Sequence, residues 1–271
     1  MRRSHSPTFE SAGLSRARGA QKYTKKKIAE TDAIFAQIKC VNEEADASET
    51  MLRISCDAKA VVKIGAFSRL GNSRVNVRAA DHDFRGDEVV IPYGIFLPKY
   101  GALSLYLCRS KATADFIVDC LSSWWLNTKA CFPQVTKLVI DLDNGPENHS
   151  RRTQFMKRMV DFSAQHQIDV RLAYYPPYHS KYNSVERCWG VLEQHWNGGL
   201  LDSLDAVVGY AKSMTYKGHS PVVHVINQVY QTGVRLTQAL MAEIEMQISR
   251  FETLGRWFID ISCSQFREAV T

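Results

Sequence analysis

Three carboxylates in this chain have the type and placement for metal-assisted chemistry: Asp57, Asp143 and Glu186. Asp57 closes the stretch Leu52-Arg53-Ile54-Ser55-Cys56, and Asp143 follows the apolar run Leu138-Val139-Ile140 by way of Asp141-Leu142. Glu186 lies in Asn183-Ser184-Val185-Glu186-Arg187-Cys188-Trp189. Carboxylates gathered without His or Cys favour hard ions such as Mg²⁺ or Mn²⁺. Two such ions about 4 Å apart activate an attacking oxygen and stabilise a leaving one in an in-line phosphoryl transfer. Most acids are simply solvated, so the question is which elements would bring these three together.

The first is strand-like: Met51–Phe67 is rich in β-branched residues, with an alternation that stops at Asp57 and resumes at Val61-Val62-Lys63-Ile64. A hairpin around Asp57 to Val77 is punctuated by Gly65, Gly71 and Asn72, and a second joins Val89–Leu97 to Ala102–Cys108. Pro92 within it requires an edge or a bulge. Lys111–Trp125 is the clearest helix, because Phe116, Ile117, Cys120, Leu121, Trp124 and Trp125 share one face, and Ser110 or Thr113 caps its start. Lys137–Leu142 is apolar on both faces, as in a central strand. A helix over Ser150–His166 and a strand over Ile168–Tyr174 follow.

Asn183–Trp196 is a third helix, with Val185, Trp189, Leu192 and Trp196 facing the core and Glu186 at the edge of that face. Asp202–Lys212 and Leu236–Phe251 are expected as further helices. Upstream, a short amphipathic helix covers Lys25–Val41, and Glu43–Thr50 has the composition of a linker. No helix-turn-helix pattern precedes it. Strands, then helix, strand, helix, strand, helix pack most naturally as a mixed sheet flanked by helices.

Charge is distributed unevenly. Residues 1–27 carry eight Lys or Arg against Glu10 alone, so the net +6 of the chain resides in that tail and the rest sums to about −1. A basic tail suits phosphate-backbone binding, although a solvated disordered terminus or a transit peptide has the same composition. No apolar run approaches a membrane span. The seven cysteines are scattered and contain no C-x-x-C pair, as in reduced thiols of an intracellular protein rather than disulfides or a zinc site.

Val139 to Ser150, with its Asp141-Leu142-Asp143-Asn144-Gly145-Pro146 centre, and Tyr174 to Gly190 resemble the DDE transposases of bacterial insertion sequences. The resemblance is to the ISAzo-type group, related to the mariner-like transposases. Leu52 to Lys59, Ala79 to Phe84 and His195-Trp196-Asn197-Gly198 match it as well, and the likeness runs from about Lys25 to about Asp260. It implies an α/β, ribonuclease-H-like (retroviral-integrase-like) core: a mixed sheet of about five strands flanked by helices, with extra C-terminal helices. The expected layout is a disordered basic tail at 1–24, a helix and linker at 25–50, a catalytic core at 51–199, and a helical extension at 200–271 packed on the core.

The resemblance also implies two Mg²⁺ (or Mn²⁺) ions held by Asp57, Asp143 and Glu186. DNA, as element ends and as target, would be the partner, bound by a homo-oligomer. A bacterial cytoplasmic location, on the nucleoid when bound to DNA, goes with it. Forty-two residues separate Asp143 from Glu186, room for the helix and strand this fold needs. The Asn-Pro-(apolar)-Glu pattern of mariner relatives stands here as Asn183-Ser184-Val185-Glu186, which loses a rigid helix-starting proline but keeps the carboxylate.

Other acids compete within these motifs. Asp141 shares a strand face with Asp143, but the Asp-Asn-Gly pattern favours Asp143 and leaves Asp141 a supporting role. Glu147 suits a helix start, Glu193 suits solvent, and Asp81 and Asp83 around His82 suit a hairpin loop. His149, His179 and His195 lack paired metal-ligand spacing. Arg151, Arg152, Tyr178, His179, Lys181 and Arg187 are candidate DNA contacts, against the alternatives of a solvated helix face and a loop packed on its own aromatics. Two further functional readings stand beside a transposase: a nuclease of the same fold, and an N-terminally truncated, inactive remnant that at most binds DNA.

Overall fold

The computed structural model describes residues 28–65 and 88–266. The basic tail, the turn of the first expected hairpin, and Asp81-His82-Asp83 lie outside the described residues. The elements run α1 (Thr31–Ala47), β1 (Met51–Ala58), β2 (Val62–Lys63), β3 (Val89–Leu97), β4 (Ala102–Cys108), α2 (Ala114–Thr128), β5 (Lys137–Leu142) and α3 (Thr153–His166). After these come β6 (Asp169–Tyr174), α4 (Glu186–Trp196), α5 (Leu204–Ser213), β7 (Val222–Ile226), α6 (Gln238–Glu245), β8 (Ile248–Arg250) and β9 (Phe258–Ile261).

One mixed sheet runs through the described residues in the order β7-β4-β3-β1-β5-β6-β9-β8, with β2 paired to β3. At its centre β4, β3 and β1 are antiparallel, while β1, β5 and β6 are parallel. The third, second, first, fourth and fifth long strands thus lie side by side, which is the ribonuclease-H-like arrangement expected. β5 carries five buried residues of six, the mark of a strand covered on both faces. Alternation along β1 assigns the faces. Ile54 and Cys56 face the side on which Tyr93 of β3 packs edge-on against Phe116 of α2, while Arg53, Ser55 and Asp57 face α1 and α4. α3 sits beside α2 through Arg158, which binds Asp115 at 3.1 Å and Asp119 at 2.6 Å.

Four departures from the sequence-based expectations have physical reasons. α1 continues through the segment expected as a linker, because Ala45 is buried and Asp46 reaches Arg53 at 2.6 Å. Leu236–Phe251 is not one helix. α6 starts at a Thr237 cap, which accepts from the Leu240 amide, and ends by residue 245, after which Ile248 pairs with Ile261 in the sheet. Val222–Ile226 forms a strand that extends β4 in parallel. The sheet therefore has nine strands among the described residues rather than about five, and β7, β8 and β9 come from the segment expected to be helical. Thr113 caps α2, accepting from the Phe116 amide. All seven cysteines are unpaired. No helix among the described residues is long and apolar enough to cross a membrane.

α1 is held to the sheet by apolar contacts at Ile34, Ile38 and Val41 and by one buried charge cluster. Arg53 donates to Asp46 and, at 3.2 Å, to Asp141; Asn42 of α1 donates to the same Asp141 oxygen at 3.1 Å. Asp141 is fully buried, so removing only its cation strands a charge in the interior. Arg53→Ala should therefore lower stability by about 3–5 kcal/mol in urea denaturation, whereas replacing both charges (Arg53→Met with Asp141→Leu) should cost much less. Equal losses for the single and double variants would show that the pair is not what anchors α1.

Candidate active site

The register of β1 against β5 ends with Cys56 opposite Leu142, and the next residues on the two strands are Asp57 and Asp143. Asp57 is 7% exposed, and the indole N–H of Trp189 donates to its Oδ2 at 3.1 Å. Burial pushes the Asp57 carboxyl up, and the charges of Asp143 and then Glu186 push it further, to about 8. Those two charges reach Asp57 from the residue after β5 and from the first residue of α4, so the structure brings the three acids into electrostatic contact. Asp57 has no cation partner of its own among the described residues.

A buried set of hydrogen bonds fixes α4 against β1. Ser55 donates to Asn183 Oδ1 at 2.5 Å, Asn183 Nδ2 donates to the Cys56 carbonyl at 3.0 Å, and the Val185 amide donates to Ser55 Oγ at 2.8 Å. Ser55 and Asn183 are both wholly buried. Neither was singled out as a positioning residue from sequence, although a serine inside an apolar strand and the asparagine of the Asn-x-x-Glu pattern were visible. Val185 and Trp189 then lie across β3 at Gly94, the residue paired with Asp57. A Cβ on Gly94 would stand 2.8 Å from Trp189 Cη2 and 2.9 Å from Val185 Cγ2. Glycine in this strand is what lets the indole reach Asp57.

Asp143 is placed by the turn that follows β5. Asn148 donates to Asp143 Oδ1 at 3.0 Å, and the Asn148 carbonyl accepts from the buried Tyr174 hydroxyl at 2.8 Å. Gly145 brings the backbone close: a Cβ there would lie 3.0 Å from Asn148 Oδ1 and 3.3 Å from Asp143 Oδ2. Asp143 and Glu186 are partly exposed, on the open side of the site.

The donor set suits a hard divalent cation: three carboxylates, one of them held high in pKa by burial and then by the charges of its two neighbours. Among the described residues no group of three or more His, Cys, Asp or Glu is already drawn into coordination distance. A cation among these carboxylates would offset the mutual repulsion that helps to raise the Asp57 pKa.

The competing acids are occupied elsewhere. Asp141 faces the same side of the sheet as Asp57 but is held by Arg53 and Asn42, and burial raises its carboxyl to about 7. Glu147 pairs with Arg152 at 3.0 Å rather than capping α3. Glu193 is half-exposed, as expected of a solvent-facing acid, and bridges Lys59 at 2.6 Å and the Trp196 indole at 2.8 Å.

The candidate DNA contacts divide. Arg151, Lys181 and Arg187 are exposed, and Tyr178 is 74% exposed with a left-handed backbone at φ 65°. Arg152 is mostly buried in its pair with Glu147. His179 turns inward: it is 3% exposed, bonds the Pro177 carbonyl at 2.7 Å, and packs against Phe35 and Tyr182. Its ring organises the loop and offers little surface to a strand. Tyr174 and Tyr175 are buried too, so half of the loop's tyrosines serve packing.

Residues 5–263 match the model of the family described as the Rhodopirellula transposase DDE domain. The chain belongs to this family. It is therefore a DDE transposase domain, with the strand order such a core requires. Comparison with curated proteins finds no match. Among solved structures, similarity extends to the Mos1 transposase paired-end complex with left transposon end, at 10% identity over 73% of this chain and 58% of that one, with a TM-score of 0.49. The Mos1 mariner paired-end complex with Mn gives 8% identity, the same coverage and a TM-score of 0.48. The chain thus spans about 58% of the length of those transposase chains.

The tight contact at Gly94 yields a direct test of how this DDE site is assembled. Gly94→Ala should cost about 1–3 kcal/mol of stability, the usual price of overpacking. Adding Val185→Ala, which opens one of the two contacts, should recover part of that loss. If Gly94→Ala is neutral in urea denaturation, α4 is not packed onto β3 as described.

Proposed function

We propose that this domain is a DNA transposase that cuts phosphodiesters at the ends of its element and joins the freed ends to target DNA. Asp57, Asp143 and Glu186 would hold two Mg²⁺ or Mn²⁺ ions. The observation that carries this reading is the electrostatic convergence of Asp143 and Glu186 on the buried Asp57, within a chain that belongs to a DDE transposase family.

When bound, the ions would neutralise charge on the attacking and leaving oxygens of the phosphoryl transfer. The protein's own part is positioning. The Ser55–Asn183 contact sets Glu186 opposite Asp57, and Asn148 holds one oxygen of Asp143 and leaves the other to the site. Trp189 would orient Asp57 through its indole N–H. In the first reaction a water oxygen replaces the 3′-oxygen on phosphorus and frees a 3′-hydroxyl. In the second that hydroxyl attacks a target phosphodiester and displaces another 3′-oxygen. Exposed Tyr178, Lys181 and Arg187 flank the opening and would contact the DNA backbone or stack on bases. A multimer on paired ends would bring two such sites together.

The test uses duplex DNA carrying an end of the element that encodes the protein. The domain should nick it with Mg²⁺ or Mn²⁺ and form strand-transfer products, and Asp143→Asn should remain folded while losing both. Nicks without joining would make it a nuclease. No cleavage with either metal would leave a DNA-binding remnant, and full cleavage by Asp143→Asn would remove that residue from the centre.

Metal binding can be followed separately by thermal denaturation. Millimolar Mg²⁺ should stabilise the wild-type domain, by about 2.7 kcal/mol if its concentration is a hundred times Kd. At neutral pH without metal, Asp57→Asn should melt higher than wild type, by about 2–4 °C for each kcal/mol recovered, because the amide removes the cost of a buried carboxyl whose pKa burial and then Asp143 and Glu186 raise to about 8, and it should respond weakly to Mg²⁺. An Asp57→Asn protein that melts lower and still responds fully would exclude Asp57 as a ligand.

A further inference from the structure

Beside Asp143 lies a cavity of about 400 Å³ that the chemistry above does not use. Asn144, the residue after Asp143, forms part of its wall, and Arg151 and Arg256 reach it from separate segments, before α3 and before β9. Both arginines are exposed. Nearby Arg152, Arg158, Arg171 and Arg250 are each held by a carboxylate, whereas Arg151 and Arg256 have no such partner among the described residues. His149 adds a neutral donor. Its Nδ1 accepts from the Arg151 amide at 3.2 Å, which leaves the ring proton on Nε2. Burial and the charges of Arg151 and Arg152 lower its pKa and keep the ring uncharged.

We propose that this cavity takes one nucleotide of the DNA strand passing the three carboxylates, with its phosphodiester against Arg151 and Arg256. The proposal rests on the nucleic-acid reading of the site given above and deepens it. Guanidinium forks match phosphate oxygens in pairs, and two of them without carboxylates are placed to receive an anion. The volume lies in the range of small-molecule sites rather than that of a single ion. Glu30 also lines the cavity and accepts from the Trp257 indole at 3.4 Å. A carboxylate there repels free phosphate but accepts from an amino or hydroxyl group, which favours a whole nucleotide over inorganic phosphate.

The experiment is fluorescence anisotropy of a labelled single-stranded oligonucleotide with the full chain, in EDTA, across a salt series. Arg151→Ala with Arg256→Ala should weaken binding and reduce the slope of log K against log salt by about 0.7 for each arginine removed. Lys157→Ala on α3, which removes one charge paired with Asp161, should leave the slope unchanged. Circular dichroism checks that the variants are folded. An unchanged slope in the double variant would overturn the proposal, as would an equal fall with Lys157→Ala, which would mean diffuse attraction. Inorganic phosphate displacing the oligonucleotide as effectively as a nucleoside monophosphate would reduce the cavity to a simple anion site and also overturn it. Because binding is read without metal, loss of cleavage and loss of the cavity remain separate outcomes.

Discussion

The start of α4 is tied to the end of β1 by side chains about 130 positions apart in sequence, and the rest of the site is arranged around that tie. Ser55 both donates and accepts, and Asn183 both accepts and donates, so each uses its bonding capacity inside the protein. Leaving one such buried group unpaired costs about 1–3 kcal/mol, enough to penalise any sliding of helix over strand. Asp57 immediately follows Cys56, whose carbonyl accepts from Asn183, and Glu186 immediately follows Val185, whose amide is bound by Ser55. Both carboxylates are thus one residue from a fixed point. This is why a partly exposed acid at a helix start, which would ordinarily wander, faces a buried one on a strand.

The same face of the sheet holds two buried acids that the fold treats in opposite ways. Asp141 has Arg53 and Asn42 against it, which is how a structural carboxylate in the interior is accommodated. Asp57 has an indole N–H and two further negative charges nearby. Nothing in the packing requires that crowding. Asn at position 57 would keep an acceptor for the Trp189 indole without that electrostatic cost. A buried carboxyl whose pKa is raised by burial and by two neighbouring acids is the kind of group that functional sites hold. The contrast separates Asp57 from Asp141 on physical grounds: one is paired with a cation and the other is not, among the described residues.

How much of this was legible in the sequence depended on whether the deciding contacts were local. β5 was expected at the limits observed, and β3 and β4 likewise, because a strand buried on both faces or paired in a hairpin shows itself in a few residues. The core stripe of α4 was legible for the same reason: Val185, Trp189, Leu192 and Trp196 are all buried. β8 and β9 were missed because their evidence is distant. Ile248 completes a helical period on paper but pairs with Ile261, a choice set by the exposed edge of β6. Asn183 looked like a loop residue, and its role exists only once Cys56 is beside it. Gly94 was a clue of another kind, since a glycine inside an apolar strand implies that something packs closely there.

The missed strands bear on the site as well as on the sheet. β9 pairs with β6, and the Tyr174 amide donates to the Trp257 carbonyl at 2.8 Å, so the C-terminal segment reaches the strand ends where open α/β sheets hold ligands. Arg250 reinforces the contact by donating to the Ser150 carbonyl at 3.1 Å, in the turn between Asp143 and α3. Arg256 is thereby carried to the rim of an acidic centre. That matters electrostatically, because three carboxylates without metal repel the phosphate backbone they would act on. Outside residues 1–27 the chain is close to neutral, so within the described residues attraction would have to come from charge placed locally. On the reading proposed above, an acidic centre with basic groups at its edge would separate the two tasks: the edge would hold the strand, and the centre would be left free to bind cations.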